Sequence, residues 1–286
     1  MKLFGNSHNV GEEGQSLPDT RCKAFLFYSK EHFGKLVLVS AMNALFFLPS
    51  LIWLYVMNYS KEKYVASLDV NAADYAQKLL SYGKSYVLTT YGVLVAFLAL
   101  FFIGLAGSFY ISKRISLCES VKIRDYFKGI KQDGLKYFLF GALFGVTVFL
   151  LRFNSISYSS QKGLLSGILF WGAVMLCAIV LIVLFYCMTQ CALYEVKAGQ
   201  MIKNALLLTF SKFFYNIVVL IAVAAPVVAV LFIPSPFQIL GLMLLALFYS
   251  GFAVMFVTNY CLWIYDLTIN PKLGEEYVGK GLCKKK

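Results

Sequence analysis

Charged side chains are scarce in this sequence. Asp, Glu, Lys and Arg make up 14% of the 286 residues, whereas a soluble domain carries about 25%. The mean hydropathy is correspondingly high, at +0.72. So few charges could not keep a globule of this length in solution, and most of them cluster between long apolar runs. The composition therefore predicts a chain that is surrounded mainly by lipid.

Residue types that support catalysis or metal binding are also scarce. The only histidines are His8 and His32, and the sequence contains no P-loop, HExxH or GxSxG motif. Cys187 and Cys191 are four residues apart, but no further ligands accompany them, which favours a structural role. We therefore expect no catalytic, metal-binding or cofactor-binding residues and no cofactor, and we predict that the chain is not an enzyme.

Six apolar runs are long enough to cross a bilayer, which needs about 20 apolar residues per helix. None has Asp, Glu, Lys or Arg in its central region, where each would cost about 2.5–3.5 kcal/mol on insertion. The sequence predicts an all-α transmembrane bundle with a membrane domain over residues 36–265. The first span is expected to remain uncleaved, because its apolar run is too long for a signal peptide. The predicted spans are 36–58, 86–112, 135–151, 164–189, 213–233 and 237–265.

The positive charges are distributed unequally over this topology. If both termini are cytoplasmic, only six of the 26 Lys and Arg residues lie outside: Lys61, Lys63, Lys78, Lys84, Arg152 and Lys162. The positive-inside rule therefore predicts a multi-pass protein with a cytoplasmic segment at 1–35 and a basic cytoplasmic tail at 266–286. The net charge of +12 belongs to the inner membrane surface in this interpretation. The cations form no basic stripe that would bind nucleic acid.

The segments predicted to face the cytoplasm are amphipathic. Residues 22–34, 119–133 and 195–210 each combine apolar residues at helical spacing with lysines elsewhere on the helix. Such segments are typical of helices that lie on the inner membrane surface and contact anionic lipid headgroups. Together with the spans, they predict three repeats of a surface helix, an outward span and a return span. The alternative is that short inner loops of polytopic proteins are often amphipathic without any repeat.

Several residues within the spans predict how the helices pack. Pro49 lacks a backbone N–H and is expected to shape its helix, with a functional hinge as the alternative. Gly104 and Gly107 predict a small face where another helix approaches closely. Asn43 and Asn259 are expected to form hydrogen bonds between helices.

Three stretches carry a family resemblance. They are MKLFGNSHNVGEEGQ followed by LPDTRCKAFLFYSKEHFGKLVLVSAMNALFFLPSLIW at the start, GLAGSFYISKRISLCESVKIRDYFKGIKQDGLK in the middle, and YDLTINPKLGEEYVGKGL near the end. Together they resemble the YesL-like family, small polytopic membrane proteins of Gram-positive bacteria whose function is not established. The resemblance covers nearly the whole chain and implies a multi-pass protein of a bacterial cell membrane.

Individual positions match the family's pattern in all three stretches. The family usually has Gly-Pro before its Ala-Leu-Ala-Gly, whereas this chain has Phe102 and Ile103 before Gly104, so the resemblance does not imply a shared kink. The matching residues at the start are Phe4, Asn6, Gly11 and Pro18. Those of the second and third stretches are Gly104, Leu105, Ala106, Gly107, Asp125, Tyr126, Phe127, Gly129, Lys131, Asn270, Pro271, Lys272, Gly281 and Leu282.

Three functions are weighed at this stage. The resemblance implies a non-enzymatic accessory protein beside carbohydrate uptake systems of the ABC type, with a sugar permease as its partner. The second is a transporter or channel for a small solute, in which proline-bearing spans and asparagines would line a path. The third is a membrane-embedded enzyme, for which the sequence brings no nucleophile, base and metal ligands together.

Overall fold

The computed structural model describes residues 17–159, 164–232, 240–241 and 243–283. Several sequence predictions fall outside the described residues: His8, Phe4, Asn6, Gly11, Lys162, and the parts of the last two spans at 233, 237–239 and 242, with the last three residues of the tail. The described helices are α1 (Arg21–Glu31), α2 (Phe33–Ala66), α3 (Tyr75–Ser116), α4 (Arg124–Ser159), α5 (Leu164–Leu193), α6 (Ala198–Ser211), α7 (Phe213–Leu231), a π-helical turn (Leu245–Tyr249), α8 (Ser250–Thr268), α9 (Asn270–Leu273) and a 3₁₀ turn (Glu275–Tyr277).

The fold is all-α, as predicted. Six helices are long and apolar enough to cross a membrane, and each contains or overlaps one predicted span. They fit a multi-pass membrane protein. Their ends extend beyond the predictions: α2 continues to Ala66, α3 begins at Tyr75, and α4 continues past Arg152 to Ser159. The reason is that hydrocarbon thickness limits the apolar run but not the helix, which can continue with polar side chains outside it.

Two of the three predicted surface helices are separate elements. Helix α1 is divided from α2 at His32, and α6 is divided from α7 at Lys212. The segment 119–133 differs, because its residues from Arg124 onward form the first turns of α4. The Asp125 carboxylate accepts a hydrogen bond from the Lys122 backbone N–H and so stabilises the start of this continuous helix.

The structure divides into two compact units, whose boundaries fall inside α2, α3, α4 and α5. Unit 1 comprises Met1–Ala44, Ile103–Tyr137 and Ile182–Lys286. Within it, Gly107 of α3 lies against the Tyr126 ring of α4, where an added Cβ would be 2.6 Å from a ring carbon. Gly107 thus lies where α4 approaches α3 closely, and Gly104 is buried one turn before it.

Unit 2 comprises Leu45–Phe102 and Phe138–Leu181. Here α4 supplies the small residues: a Cβ on Gly141 would be 2.8 Å from the Ala99 Cα of α3, and one on Gly145 would be 2.8 Å from the Val95 Cα. Pro49 lies inside α2, which continues through it without interruption. Close packing of α3 and α4 in this unit therefore depends on glycines that the sequence prediction did not single out.

Candidate functional site

A buried polar cluster in unit 1 joins four helices around Asn43. Its side-chain carbonyl accepts hydrogen bonds from the hydroxyls of Ser108 and Tyr126, each at 2.9 Å. Its amide donates to the Ser250 hydroxyl at 3.0 Å. The predicted interhelical bonding of Asn43 is thus confirmed, and Asn259 likewise donates to Ser116 at 3.2 Å.

Asp125 is a second buried polar residue of unit 1. Its carboxylate pairs with Arg114, which follows the apolar part of α3, and with Lys128 one turn onward at 2.8 Å. The three residues of the resemblance motif Asp125-Tyr126-Phe127 therefore differ in burial. Asp125 and Tyr126 are buried and link α4 to its neighbours, whereas Phe127 is 57% exposed.

An ion pair joins the start of α1 to the end of α8, and the same arginine also reaches the segment that follows α8. Arg21, only 5% exposed, donates from Nε to Asp266 at 3.0 Å and from Nη2 to the Lys280 carbonyl at 2.9 Å. Asp266 also accepts from the Asn270 amide at 2.8 Å and from the Gly279 N–H at 3.0 Å. We call these five residues the C-terminal lock.

Asn270 extends this lock to the residue that follows α5, because its side-chain carbonyl accepts from the Tyr194 hydroxyl at 2.6 Å. Of the matching Asn-Pro-Lys ending, Asn270 is buried, while Pro271 and Lys272 are exposed. Pro271 lies at the first turn of α9, where its missing N–H removes no helical hydrogen bond. In this motif, Asn270 forms a buried hydrogen bond to Tyr194, and Pro271 lies at the start of a helix.

The Tyr28 hydroxyl forms a further link to the same segment. It donates to the Gly281 carbonyl at 2.8 Å and lies 2.7 Å from the Cys118 sulfur. Burial raises the pKa of the Cys118 thiol and the pKa of Tyr28, so both are neutral at neutral pH. All seven cysteines are free thiols, and two of the buried ones donate hydrogen bonds, Cys191 to the Asp133 carboxylate and Cys261 to the Phe185 carbonyl.

Asn216 connects α7 to three other helices. Its carbonyl accepts from the hydroxyls of Tyr186 and Tyr260, each at 2.7 Å. Its amide donates to the carbonyls of Leu208 and Thr209 at the end of α6. The Leu208 carbonyl also accepts the Lys212 backbone N–H at 3.1 Å, so the amide adds a second donor at the carbonyl end of α6, where backbone acceptors run short of helical partners. Asn216 therefore ties the start of α7 to the end of α6.

Unit 1 also contains an apolar groove of about 330 Å³ between α1 and α8. Its walls include Arg21, Phe25, Phe256, Asn259 and Trp263. Phe25 and Phe256 pack edge to face across it, with ring centroids 5.4 Å apart. The Arg21 Nη1 and Asn259 Oδ1 atoms are buried and lack hydrogen-bond partners among the described residues.

Unit 2 contains a different cavity, of about 310 Å³, near the ends of α2 and α3 that the 67–74 connection joins. We call it the tyrosine cavity. Two cations line it, and each lies over a ring: Lys61 is 5.7 Å from the Tyr86 centroid, and Arg152 is 5.6 Å from that of Tyr91. The only sequence signal for this site was that both cations are exceptions to the inner bias of positive charge. The residues that define its polar walls are Asn58, Lys61, Tyr82, Tyr86, Tyr91 and Arg152.

The structure thus brings Gly107, Tyr126, Asp125 and Asn270 into buried contacts, and it leaves Phe127, Pro271 and Lys272 exposed. Most of the hydrogen bonds described above join residues far apart in the sequence. Protein-family models, curated proteins and solved structures were all compared with this chain, and none matches it.

Proposed function

We propose that this chain is a non-enzymatic accessory protein of a bacterial cell membrane, similar to YesL-like proteins, which acts by contacting an ABC-type carbohydrate permease. The observation that supports this most directly is the use of its intramembrane asparagines. In both Asn43 and Asn216, the side-chain carbonyl and the side-chain amide form hydrogen bonds with neighbouring helices. Residues bonded in this way hold helices together, and a function by surface contact needs a rigid body of this kind.

The transport alternative would require these asparagines to face a path for solute. Asn43 and Asn216 are both buried and are bonded to helix partners. Opening a path through either cluster would break several hydrogen bonds at once, each worth about 1 kcal/mol in a membrane. This cost favours contact with another protein over transport by this chain alone.

Helix α6 supports a location at the inner membrane surface. It buries Met201 and Ala205 while exposing Ile202 and Phe210, and Lys203 beside them is exposed as well. A helix that exposes both apolar and cationic side chains fits the boundary between headgroups and acyl chains. We propose that α6, like α1, rests on anionic headgroups of the inner leaflet and lies where a permease partner can reach it.

Cysteine labelling tests the proposed orientation. Cys22 and Cys283 are exposed in the two terminal segments, and Val70, 71% exposed in the 67–74 connection, is the position for a Val70→Cys reporter. With both termini cytoplasmic, a membrane-impermeant maleimide should modify Cys22 and Cys283 only after protoplasts are permeabilised. The Val70→Cys variant, made with serines at positions 22 and 283, should be modified in intact protoplasts. Labelling of Cys283 before permeabilisation would place the C-terminal segment outside and contradict the proposed orientation.

Co-purification tests the proposed partner. The tagged protein, extracted from its native membrane in a mild detergent, should carry permease subunits in near-stoichiometric amount, as judged by mass spectrometry. A different multi-pass protein with the same tag, extracted in parallel, is the control and should not carry them. Purification of the chain alone, together with normal sugar uptake in a strain that lacks it, would contradict the proposal.

A further inference from the structure

The charges of the tyrosine cavity are unbalanced. Lys61 and Arg152 both line it, and none of the described residues around it carries a carboxylate. Within the described part of the chain, neither cation lies within ion-pair distance of an acidic side chain. Two uncompensated cations facing one small volume create a positive potential that attracts anions.

The remaining walls provide hydrogen-bond donors and apolar contact. Tyr82 and Tyr86 contribute rings and hydroxyls, and the Tyr86 hydroxyl donates to the Asn58 carbonyl at 2.8 Å. Tyr64 stacks on Tyr82 with ring centroids 3.8 Å apart, which fixes that wall in place. Val65, Leu79 and Val87 also line the cavity and add apolar contact. This combination suits a ligand with a negatively charged group and an uncharged remainder.

The size and position of the cavity limit the range of possible ligands further. Its volume of about 310 Å³ is near the lower limit of ligand pockets, which span roughly 300–1,000 Å³. The cavity lies near the ends of two membrane-spanning helices, where several tyrosines collect. Aromatic side chains of this kind mark the level of the lipid headgroups, so a lipid can present its headgroup directly to Lys61 and Arg152.

We propose that the tyrosine cavity binds a phosphate ester, such as the headgroup phosphate of an anionic phospholipid. The Arg152 guanidinium matches two phosphate oxygens with its planar fork, and the Lys61 ammonium adds a compact charge. The Tyr82 hydroxyl is a tyrosine donor left for a remaining oxygen, whereas the Tyr86 hydroxyl already donates to Asn58. A soluble phosphate ester offers the same chemistry, and the experiment below separates the two sources.

Binding is measured on the full chain in dodecyl maltoside micelles, which contain no phosphate. The probes are phosphatidylglycerol, diacylglycerol with the same acyl chains, and glycerol 1-phosphate. Wild type should bind phosphatidylglycerol in preference to diacylglycerol. Arg152→Gln and Lys61→Gln should each weaken this binding about tenfold or more, the size expected for losing one charge-assisted hydrogen bond.

Two matched controls separate the cavity from general attraction to anionic lipid. Lys63 lies over the Tyr59 ring at 4.6 Å and does not line the cavity, so Lys63→Gln should retain the affinity of the wild type. Gly83 lines the cavity, and a Cβ there would be 3.8 Å from the Ile156 Cδ1, an ordinary contact. Gly83→Ala should therefore bind normally, whereas Gly83→Leu should fill the cavity and abolish binding.

Each outcome decides the proposal. Binding of phosphatidylglycerol alone assigns the lipid headgroup as the source, and cavity-dependent binding of glycerol 1-phosphate as well assigns the phosphate ester whatever its source. If phosphatidylglycerol and diacylglycerol bind alike, or if Arg152→Gln and Lys63→Gln weaken binding equally, the proposal is overturned. Thermal unfolding of each variant confirms that lost binding does not reflect lost folding.

Discussion

Replacing Arg21 with methionine should lower the free energy of unfolding by about 3 to 5 kcal/mol, the range for breaking a buried ion pair by removing one partner. The Arg21 and Asp266 side chains are 4% and 12% exposed, so water cannot replace the missing cation. Asp266 would keep its bonds from Asn270 and Gly279 but would remain as an uncompensated buried charge. Helix α1 would lose its ion pair with α8 and one hydrogen bond to the segment that follows, at the Lys280 carbonyl.

This prediction is measured as the thermal unfolding midpoint in detergent micelles. Lys23→Met is the control in the same helix, because the Lys23–Asp19 pair is 67% and 36% exposed and should contribute no more than about 1 kcal/mol. In the double variant Arg21→Met with Asp266→Asn, the new amide keeps its carbonyl for Asn270 and Gly279 but carries no charge. It should recover much of the lost stability. If the Arg21→Met protein is as stable as Lys23→Met, the Arg21–Asp266 ion pair does not stabilise the contact between α1 and α8.

The membrane spans could be predicted because hydrocarbon constrains every segment that crosses it. A crossing helix must be apolar for about 20 residues, and this requirement is visible in a single sequence. The helix ends could not be predicted in the same way. Helix α2 continues past Lys61 and Lys63 to Ala66, because polar residues beyond the hydrocarbon are compatible with helix and nothing local breaks it.

Which side chains of a helix pack against its neighbours was harder to predict than where the helix crosses the membrane. Apolar periodicity in residues 119–133 singled out the apolar side of a membrane-surface helix, formed by Ile123, Tyr126, Phe127 and Ile130. Of these, Tyr126 is buried while Ile123 and Phe127 are exposed, and Asp125, expected on the polar side, is buried as well. Asp125 can be buried because Arg114 of the preceding helix neutralises it. That compensation depends on a tertiary contact, so local periodicity does not reveal it.

The buried links of unit 1 were beyond prediction for the same reason. Arg21 and Asp266 are 245 residues apart, and both lie in segments that look like ordinary polar flanks. The tyrosine cavity likewise draws its cations from α2 and α4. Single side chains such as Asn43 could be assigned to interhelical bonding, because an amide in hydrocarbon must find a partner, but its partners came only from the fold.

Substitution of Gly251 by alanine should destabilise the protein by about 3 kcal/mol, the upper part of the range for overpacking. A Cβ on Gly251 would collide with the backbone carbonyl of Leu36 in α2 and would lie 2.8 Å from the Ser40 hydroxyl oxygen. The Gly251 N–H donates to that same hydroxyl at 2.7 Å, while Ser40 donates to the Phe248 carbonyl at 3.0 Å. The Ser40 hydroxyl therefore bonds to two backbone groups of the neighbouring helix, at the point where the π-helical turn meets α8. Moving α2 and α8 apart to make room for the Cβ would break both bonds.

Gly172→Ala is the matched control, since no atom lies within 4 Å of its added Cβ and alanine is the better helix former by about 1 kcal/mol. We expect its thermal unfolding midpoint to equal or exceed that of the wild type, while that of Gly251→Ala falls. Adding Ser40→Ala to Gly251→Ala should not restore stability, because the Leu36 carbonyl belongs to the backbone and cannot rotate away. Full recovery in that double variant would mean that only the Ser40 side chain limits the approach of α8 to α2, and the backbone contact would then not be the cause.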